Sequence, residues 1–116
     1  MTQMPPFENT EDHRTYQAGE VIFRKGEAPD AMFVVLDGIV AIGNEDDPID
    51  RVGAGSIFGE MALVDDAPRS ATARAETECK VVAISDDRFH SLVEETPAFA
   101  LQVMKIMAAR LRRLMR

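Results

Sequence analysis

Residues 58–75 read FGEMALVDDAPRSATARA and hold a glycine, a carboxylate, a proline and an arginine within one short stretch. Gly59 carries no Cβ, so its backbone can adopt left-handed torsions and let a ligand approach its amide closely. Met61, Ala62 and Leu63 are good helix formers, enough for one turn, and the amino end of a turn offers unpaired N–H groups to an anion. The stretch therefore predicts a compact anion-binding loop.

Two side chains of this stretch can supply the polar contacts. Glu60 can accept a hydrogen bond from a hydroxyl group. After the break at Pro68, the planar guanidinium of Arg69 can hold a phosphate through two parallel charge-assisted hydrogen bonds, each worth about 1.5–3 kcal/mol when shielded from water. The hydroxyl of Ser70 lies beside it in sequence. A small ligand with both a phosphate and a free hydroxyl fits this pattern.

The runs FGEMAL (58–63) and PRSAT (68–72) resemble, without gaps, the phosphate-binding cassette of cyclic nucleotide-binding domains. Such domains occur in bacterial catabolite activator proteins, protein kinase A regulatory subunits and cyclic nucleotide-gated channels. KGE at 25–27 and MFVVLDG at 32–38 look like the family's early strands. The resemblance therefore covers most of the chain from about Gln17 onward.

The resemblance places the cassette at 57–72 and implies a role for each matching residue. Glu60 would bind the ribose 2′-hydroxyl, and Arg69 the exocyclic oxygens of the cyclic phosphate. The implied ligand-binding set is Gly59, Glu60, Met61, Ala62, Arg69, Ser70 and Ala71. We expect cyclic AMP, with cyclic GMP as the alternative, because family members that favour cyclic GMP often carry threonine directly after the arginine, where this chain has Ser70.

Each of these residues also has a simpler interpretation. Arg69 could be a solvated surface arginine, Glu60 a charge that opposes the dipole at a helix start, and Gly59 a turn glycine. Those interpretations do not explain why one loop gathers all three. A Walker-type phosphate loop fits less well, since no Gly-Lys-Ser/Thr follows Gly53, Gly55 or Gly59.

The amino-acid composition argues against several other classes of protein. The chain has 116 residues, 46% hydrophobic and 28% charged, which suits one globular domain with its own core. The single Cys79 excludes an intramolecular disulfide and is expected as a small core residue in a strand. No window reaches the roughly 18–20 apolar residues of a membrane span, and a signal pattern is missing, so we expect a cytoplasmic protein without membrane contact. His13 and His90 lack metal-ligand spacing, which disfavours a metal site or a cupin-like metalloenzyme.

The net charge of −7 hides an asymmetry. Residues 1–96 contain 20 acidic and 8 basic residues, whereas residues 97–116 contain five basic residues and no acid. Basic side chains near the C-terminus of a helix can stabilise it through a favourable interaction with the helix dipole. No helix-turn-helix follows, so nucleic acid binding is not expected. In several relatives an arginine on this helix closes over the purine, and the resemblance makes Arg110 the candidate for such a lid.

The middle of the chain, residues 11–85, predicts an antiparallel β-roll of the jelly-roll type. Short apolar or alternating runs recur about every eight to twelve residues, separated by glycine and acidic turns. The runs are residues 21–23, 32–36, 39–42, 49–52, 71–75 and 80–84. Asp37-Gly38 predicts a tight hairpin, and 45–47 a solvated hairpin tip whose spacing is not that of a calcium loop. Residues 1–10 predict an N-terminal arm.

Beyond Ser85 the apolar period changes from two to about 3.6, which predicts two C-terminal helices within 86–116. Ser85 would cap the first helix. The buried face predicted for this helix is Phe89, Leu92 and Val93. Thr96 would cap the second helix, with Pro97 at its first position, and this helix would run nearly to Arg116.

The second helix carries two apolar stripes. One is Leu101, Met104, Ala108, Leu111 and Met115; the other is Phe99, Val103, Ile106 and Met107. One stripe can pack on the β-roll and the second needs another partner. A homodimer with this helix paired in parallel, as in bacterial catabolite activators, is one solution, and a wide core face is the other.

The sequence shows no nucleophile, base and orienting group that converge, so we expect a regulatory sensor rather than an enzyme. Ligand binding would draw the C-terminal helices onto the roll and shift an existing equilibrium. Two alternatives stay open: an accessory or truncated relative of a transcription regulator, and a ligand-free roll that mediates protein contacts. Salt-dependent DNA binding would favour the first, and the lack of a thermal shift with cyclic nucleotide the second.

Overall fold

The computed structural model describes residues 12–44 and 46–115. The arm predicted at 1–10 lies outside the described residues, as do Glu45 and Arg116. The strands are β1 (Asp12–Tyr16), β2 (Val21–Phe23), β3 (Ala31–Asp37), β4 (Val40–Asn44), β5 (Asp47–Val52), β6 (Ile57–Phe58), β7 (Thr72–Ala75) and β8 (Cys79–Ser85). The helices are α1 (Glu60–Asp65), α2 (Asp86–Glu95) and α3 (Pro97–Leu114).

The strands form two four-stranded antiparallel sheets. One sheet has the order β1-β8-β3-β6 and the other the order β2-β7-β4-β5. Helix α1 interrupts the strand series between β6 and β7, and α2 and α3 follow β8. The predicted β-roll with two C-terminal helices is therefore confirmed.

Strands β3 and β8 are apolar on both faces because each lies between two cores. Successive side chains of a strand point to opposite faces. Phe33 and Val35 of β3 face the space between the sheets, whereas Met32 and Val34 face the helices. The core between this sheet and the helices, called the helix-side core, also holds Ile57, Leu63, Val82, Ile84, Phe89, Leu92, Phe99 and Val103. Cys79 is fully buried in β8, as expected for a small core residue.

The hairpin predicted at Asp37-Gly38 is wrong, although a turn does occur there. Strands β3 and β4 belong to different sheets, so the turn carries the chain from one sheet to the other. Gly38 has φ 91°, and a Cβ at this position would lie 2.2 Å from the carbonyl oxygen of Glu78. The second predicted hairpin is confirmed, since β4 pairs with β5 and Asn44 lies opposite Asp47.

The C-terminal helices begin where the sequence predicts. The Ser85 hydroxyl accepts a hydrogen bond from the Arg88 amide at 3.2 Å, which confirms Ser85 as the N-cap of α2. Phe89 and Leu92 are buried, but Val93 is 37% exposed, so its assignment to the buried face is wrong. Thr96 is the N-cap residue of α3 and Pro97 begins the helix, as predicted, although among the described residues the Thr96 side chain makes no capping bond. The Thr96 amide donates to the carbonyl of Leu92 and so also ends α2.

The two apolar stripes of α3 have different environments. Phe99 and Val103 are buried in the helix-side core, and Ile106 and Met107 pack against it. The stripe of Leu101, Met104, Ala108, Leu111 and Met115 is exposed on the surface of this chain. The β-roll therefore accounts for one stripe only.

Candidate functional site

A cavity of about 360 Å³ opens between the β-roll and the last turns of α3. Strands β4 and β5 line it with the apolar side chains of Ile42, Ile49 and Val52. All eight residues predicted to contact a ligand also line it: Gly59, Glu60, Met61, Ala62, Arg69, Ser70, Ala71 and Arg110. The structure thus gathers these residues around one space, and their roles in binding stay predictions.

Gly59 is the hinge between β6 and α1. It is the N-cap of α1 and has φ 79°, in the left-handed region that glycine adopts without a steric cost. A Cβ here would lie 2.8 Å from Nη1 of Arg69 and 3.2 Å from Cε2 of Phe23. Glycine is therefore required both by the torsion and by the close approach of the guanidinium.

The backbone of Arg69 is fixed to the turn between β2 and β3. Its amide donates to the carbonyl of Glu27 at 2.8 Å, and its carbonyl accepts from the amide of Gly26 at 2.8 Å. The Glu27 carboxylate in turn accepts from the amide of Arg24 at 2.8 Å, which stabilises that turn. The KGE run at 25–27 therefore holds the arginine-bearing loop in place.

The Arg69 side chain is buried and held by main-chain carbonyls. Nη1 donates to Gly59 at 2.8 Å and Nη2 to Ala31 at 2.5 Å, while only 4% of the residue is exposed. Nε is buried, and no described residue accepts a hydrogen bond from it. Burial lowers the pKa of the Arg69 guanidinium, and the carboxylates of Asp30, Glu27 and Glu60 oppose that shift. The cation therefore keeps donors beyond those used by the carbonyls.

An aromatic ring supports this guanidinium. Cζ of Arg69 lies 4.0 Å from the centre of the Phe23 ring, within the range of a cation–π contact. Phe23 packs against Phe33 and Phe58 at centroid distances of 6.1 Å and 6.0 Å. The arginine thus lies on an aromatic platform that belongs to the core between the sheets.

Glu60 is 2% exposed and is bonded to the C-terminal helix. Its Oε1 accepts from Nη1 of Arg110 at 2.7 Å. Arg110 also donates to the hydroxyl of Ser56 at 3.3 Å and to the carbonyl of Ile57. The carboxylate predicted to bind a sugar hydroxyl therefore also anchors α3.

A second ion pair joins α3 to the edge of the cavity. Nη2 of Arg113 lies 2.9 Å from Oδ2 of Asp50 on β5, and both residues line the cavity. Arg110 and Arg113 are three residues apart, so they lie on neighbouring positions of one helix face. Two of the five basic residues of the last segment are thus paired with acids of the β-roll.

Sequence reasoning did not find Phe23, Asp50 or Arg113 as cavity residues. The sequence places Phe23 and Asp50 only within predicted strand runs, at 21–23 and 49–52. The excess of acid before residue 97 and of base after it was the available signal, because it indicates ion pairs between the roll and α3. It does not show which residues pair.

The described residues contain neither a candidate metal-binding cluster nor a helix that could cross a membrane. Within 12–44 and 46–115, no group of three or more histidine, cysteine or acidic side chains is arranged to hold a metal ion. Among the helices of the same residues, none is both long and apolar enough to cross a membrane.

Comparison with known proteins identifies the family. A family model described as the cyclic nucleotide-binding domain matches residues 13–96. A cyclic nucleotide-gated potassium channel of Rhizobium etli is 41% identical over 92 residues, which are 79% of this chain and 26% of the channel. A CRP-like cAMP-activated global transcriptional regulator of Mycobacterium tuberculosis is 28% identical over 103 residues, 84% of this chain and 46% of the regulator. This chain belongs to the cyclic nucleotide-binding domain family.

The fold agrees with that assignment. The catabolite activator protein of Thermus thermophilus superposes with a TM-score of 0.80 at 28% identity, over 90% of this chain and 51% of that one. The chain spans about half the length of this neighbour, and about a quarter and just under half of the two relatives above. The residues matched by the family model, 13–96, include the strands and α2 and end before α3.

Proposed function

We propose that this chain is a cyclic AMP-binding regulatory module that signals through its C-terminal helices. One observation carries the proposal: a buried carboxylate and a buried guanidinium, Glu60 and Arg69, line the same cavity. The carboxylate suits a ribose hydroxyl, and the guanidinium suits a phosphate. The apolar strand residues that line the same space suit a purine.

The connection between the cavity and α3 supports the signalling part of the proposal. Glu60 is bonded to Arg110, and Asp50 to Arg113, so groups at the cavity hold the end of α3. A ligand hydroxyl that bonds to Glu60 joins a group already attached to this helix. A ligand that binds the two positions of α3 with different affinity shifts their populations. Arg110 is then the contact between ligand and helix, and its role as a purine lid belongs to the same proposal.

The preference for cyclic AMP rests on Ser70, where a threonine would favour cyclic GMP. A sensor function, rather than catalysis, is supported by the similarity to regulators and channels. We also propose that the module works in the cytoplasm, as the sequence predicts. Nucleic acid contact is not part of the proposal; of the five basic residues of the last segment, Arg110 and Arg113 pair with acids of the β-roll.

The proposed ligand should raise the melting temperature. A ligand that binds only the folded state at about a hundred times its dissociation constant stabilises it by about 2.7 kcal/mol. For a domain of this size that corresponds to a rise of roughly 10 °C in a thermal scan. Cyclic GMP at the same concentration should give a smaller rise, and adenosine, which lacks the phosphate, almost none. An unchanged melting temperature with either cyclic nucleotide would favour a roll that serves only protein contacts.

We further propose that the exposed stripe of α3 pairs with its copy in a second chain. The stripe carries four large apolar residues on one helix face, and an apolar face of this kind is typically covered by a partner. Its exposed members are Leu101, Met104, Leu111 and Met115. A parallel pair would place the ends of both helices, and both cavities, near one axis.

The dimer predicts a specific effect of charge on this stripe. Leu111→Glu should reduce the mass measured by sedimentation equilibrium from that of a dimer to that of a monomer, because two carboxylates would be buried at one interface. Ala109→Glu, exposed on another face of the same helix, is the matched control and should leave the mass unchanged. A monomer at all concentrations of the unmodified chain would contradict the dimer.

A further inference from the structure

The ring of Phe23 is a fixed surface beneath Arg69. Phe23 ends β2, is 9% exposed and lines the cavity. Its neighbours Phe33 and Phe58 stack on each other at 5.0 Å, so the ring cannot move without disturbing a packed cluster. A guanidinium 4.0 Å above such a ring, shielded from water, is attracted more strongly than it would be at an exposed site.

A carboxylate outside the cavity attracts the same guanidinium. Oδ1 of Asp30 lies 3.7 Å from Nη2 of Arg69, and the Asp30 side chain is 84% exposed. An arginine that moved closer to Asp30 would move toward solvent and away from the cavity. The ring and the two carbonyl groups of Gly59 and Ala31 oppose that movement.

Asp30 therefore competes with any anion in the cavity for Arg69. Both are negative and both need the donors of one guanidinium. The Phe23 ring bears no net charge, so it does not compete for those donors, but its face fixes where the cation lies. The position of Arg69 depends on the balance between the exposed carboxylate on one side and this ring with the two carbonyl groups on the other.

We propose that Phe23 is a positioning residue that keeps Arg69 in the cavity against the attraction of Asp30. The inference rests on the proposed cyclic nucleotide site and adds a residue that controls its affinity. Phe23 acts through Arg69. Without the ring, Arg69 moves closer to Asp30, which already lies 3.7 Å from it, and the phosphate must displace that carboxylate.

A double-mutant cycle tests this role. Phe23→Leu should weaken cyclic AMP binding about tenfold in calorimetric titration, the order expected for loss of a shielded cation–π contact. Asp30→Asn should restore most of that affinity in the Phe23→Leu protein, yet change the affinity of the unmodified protein by less than about threefold. If Phe23 only supported the fold, removal of the exposed Asp30 carboxylate would not restore the affinity that Phe23→Leu loses. Equal effects of Asp30→Asn in the two proteins would overturn the proposal.

A second variant removes the question of folding. When 3,4,5-trifluorophenylalanine replaces Phe23, the side chain nearly keeps its shape. The fluorine atoms reduce the negative electrostatic potential on the face of the ring. Affinity should fall several-fold while the melting temperature of the free protein changes little. Unchanged affinity would overturn the role of Phe23 and leave the nucleotide site standing. If the unmodified protein fails to bind cyclic AMP, the proposed function itself is wrong.

Discussion

Arg69→Ala is expected to weaken cyclic AMP binding by more than tenfold. Two charge-assisted hydrogen bonds at about 1.5–3 kcal/mol each would be lost, and the cavity would lose a buried positive charge. The domain is acidic, with a net charge of −7, so an anionic ligand depends heavily on a local cation. Isothermal calorimetry on the variant and the unmodified chain measures the change directly.

Arg51→Ala is the matched control for this variant. Arg51 is an exposed arginine of β5 whose Nε lies 2.6 Å from Glu76, and it is not part of the cavity. Its removal changes the net charge by the same amount, so any general electrostatic effect appears in both variants. Equal affinity of Arg69→Ala and Arg51→Ala for cyclic AMP would remove Arg69 from the site.

Glu60→Gln should have the second large effect. The change keeps the shape of the side chain but replaces a charged acceptor for the ribose 2′-hydroxyl, a bond of about 1.5–3 kcal/mol. It also leaves Arg110 without its ion-pair partner, and loss of one partner of a buried pair is costly. We therefore expect roughly tenfold weaker cyclic AMP binding together with a lower melting temperature.

The 2′-deoxy form of cyclic AMP separates these two consequences. The unmodified chain should bind it about tenfold more weakly than cyclic AMP, whereas Glu60→Gln, whose neutral amide oxygen is a weaker acceptor, should show a clearly smaller difference between the two forms. Glu76→Gln, an acid outside the cavity, should keep the preference for the 2′-hydroxyl. If the unmodified chain binds both forms equally, Glu60 does not recognise the sugar.

The β-roll can be predicted from the sequence because most strands show an apolar or alternating run within their own residues. Apolar residues are continuous at 32–36, and those at 32–35 are buried because β3 faces a core on each side; glycine marks the turns. Strand β1 carries no such pattern: four of its five residues are exposed, and its pairing with β8 joins positions about seventy residues apart. The prediction at Asp37-Gly38 failed for a related reason, because a local turn signal does not show which sheet receives the next strand.

The residues of the cavity could likewise be predicted from the sequence only where they lie close together along the chain. Gly59, Glu60 and Arg69 lie within one short stretch, so their meeting could be predicted from it. Arg110 was predicted only through the family resemblance. The pair of Asp50 and Arg113 spans 63 positions and forms only when α3 lies across the roll. The position of Phe23 under Arg69 likewise depends on how β2 meets the cassette loop.

Calorimetric titration of cyclic AMP into the unmodified chain tests the central claim most directly. We expect saturable binding at one site per chain, with much weaker binding of adenosine, which has the same base and sugar but no phosphate. A folded chain that shows no saturable binding of cyclic AMP or cyclic GMP up to millimolar concentrations would contradict it.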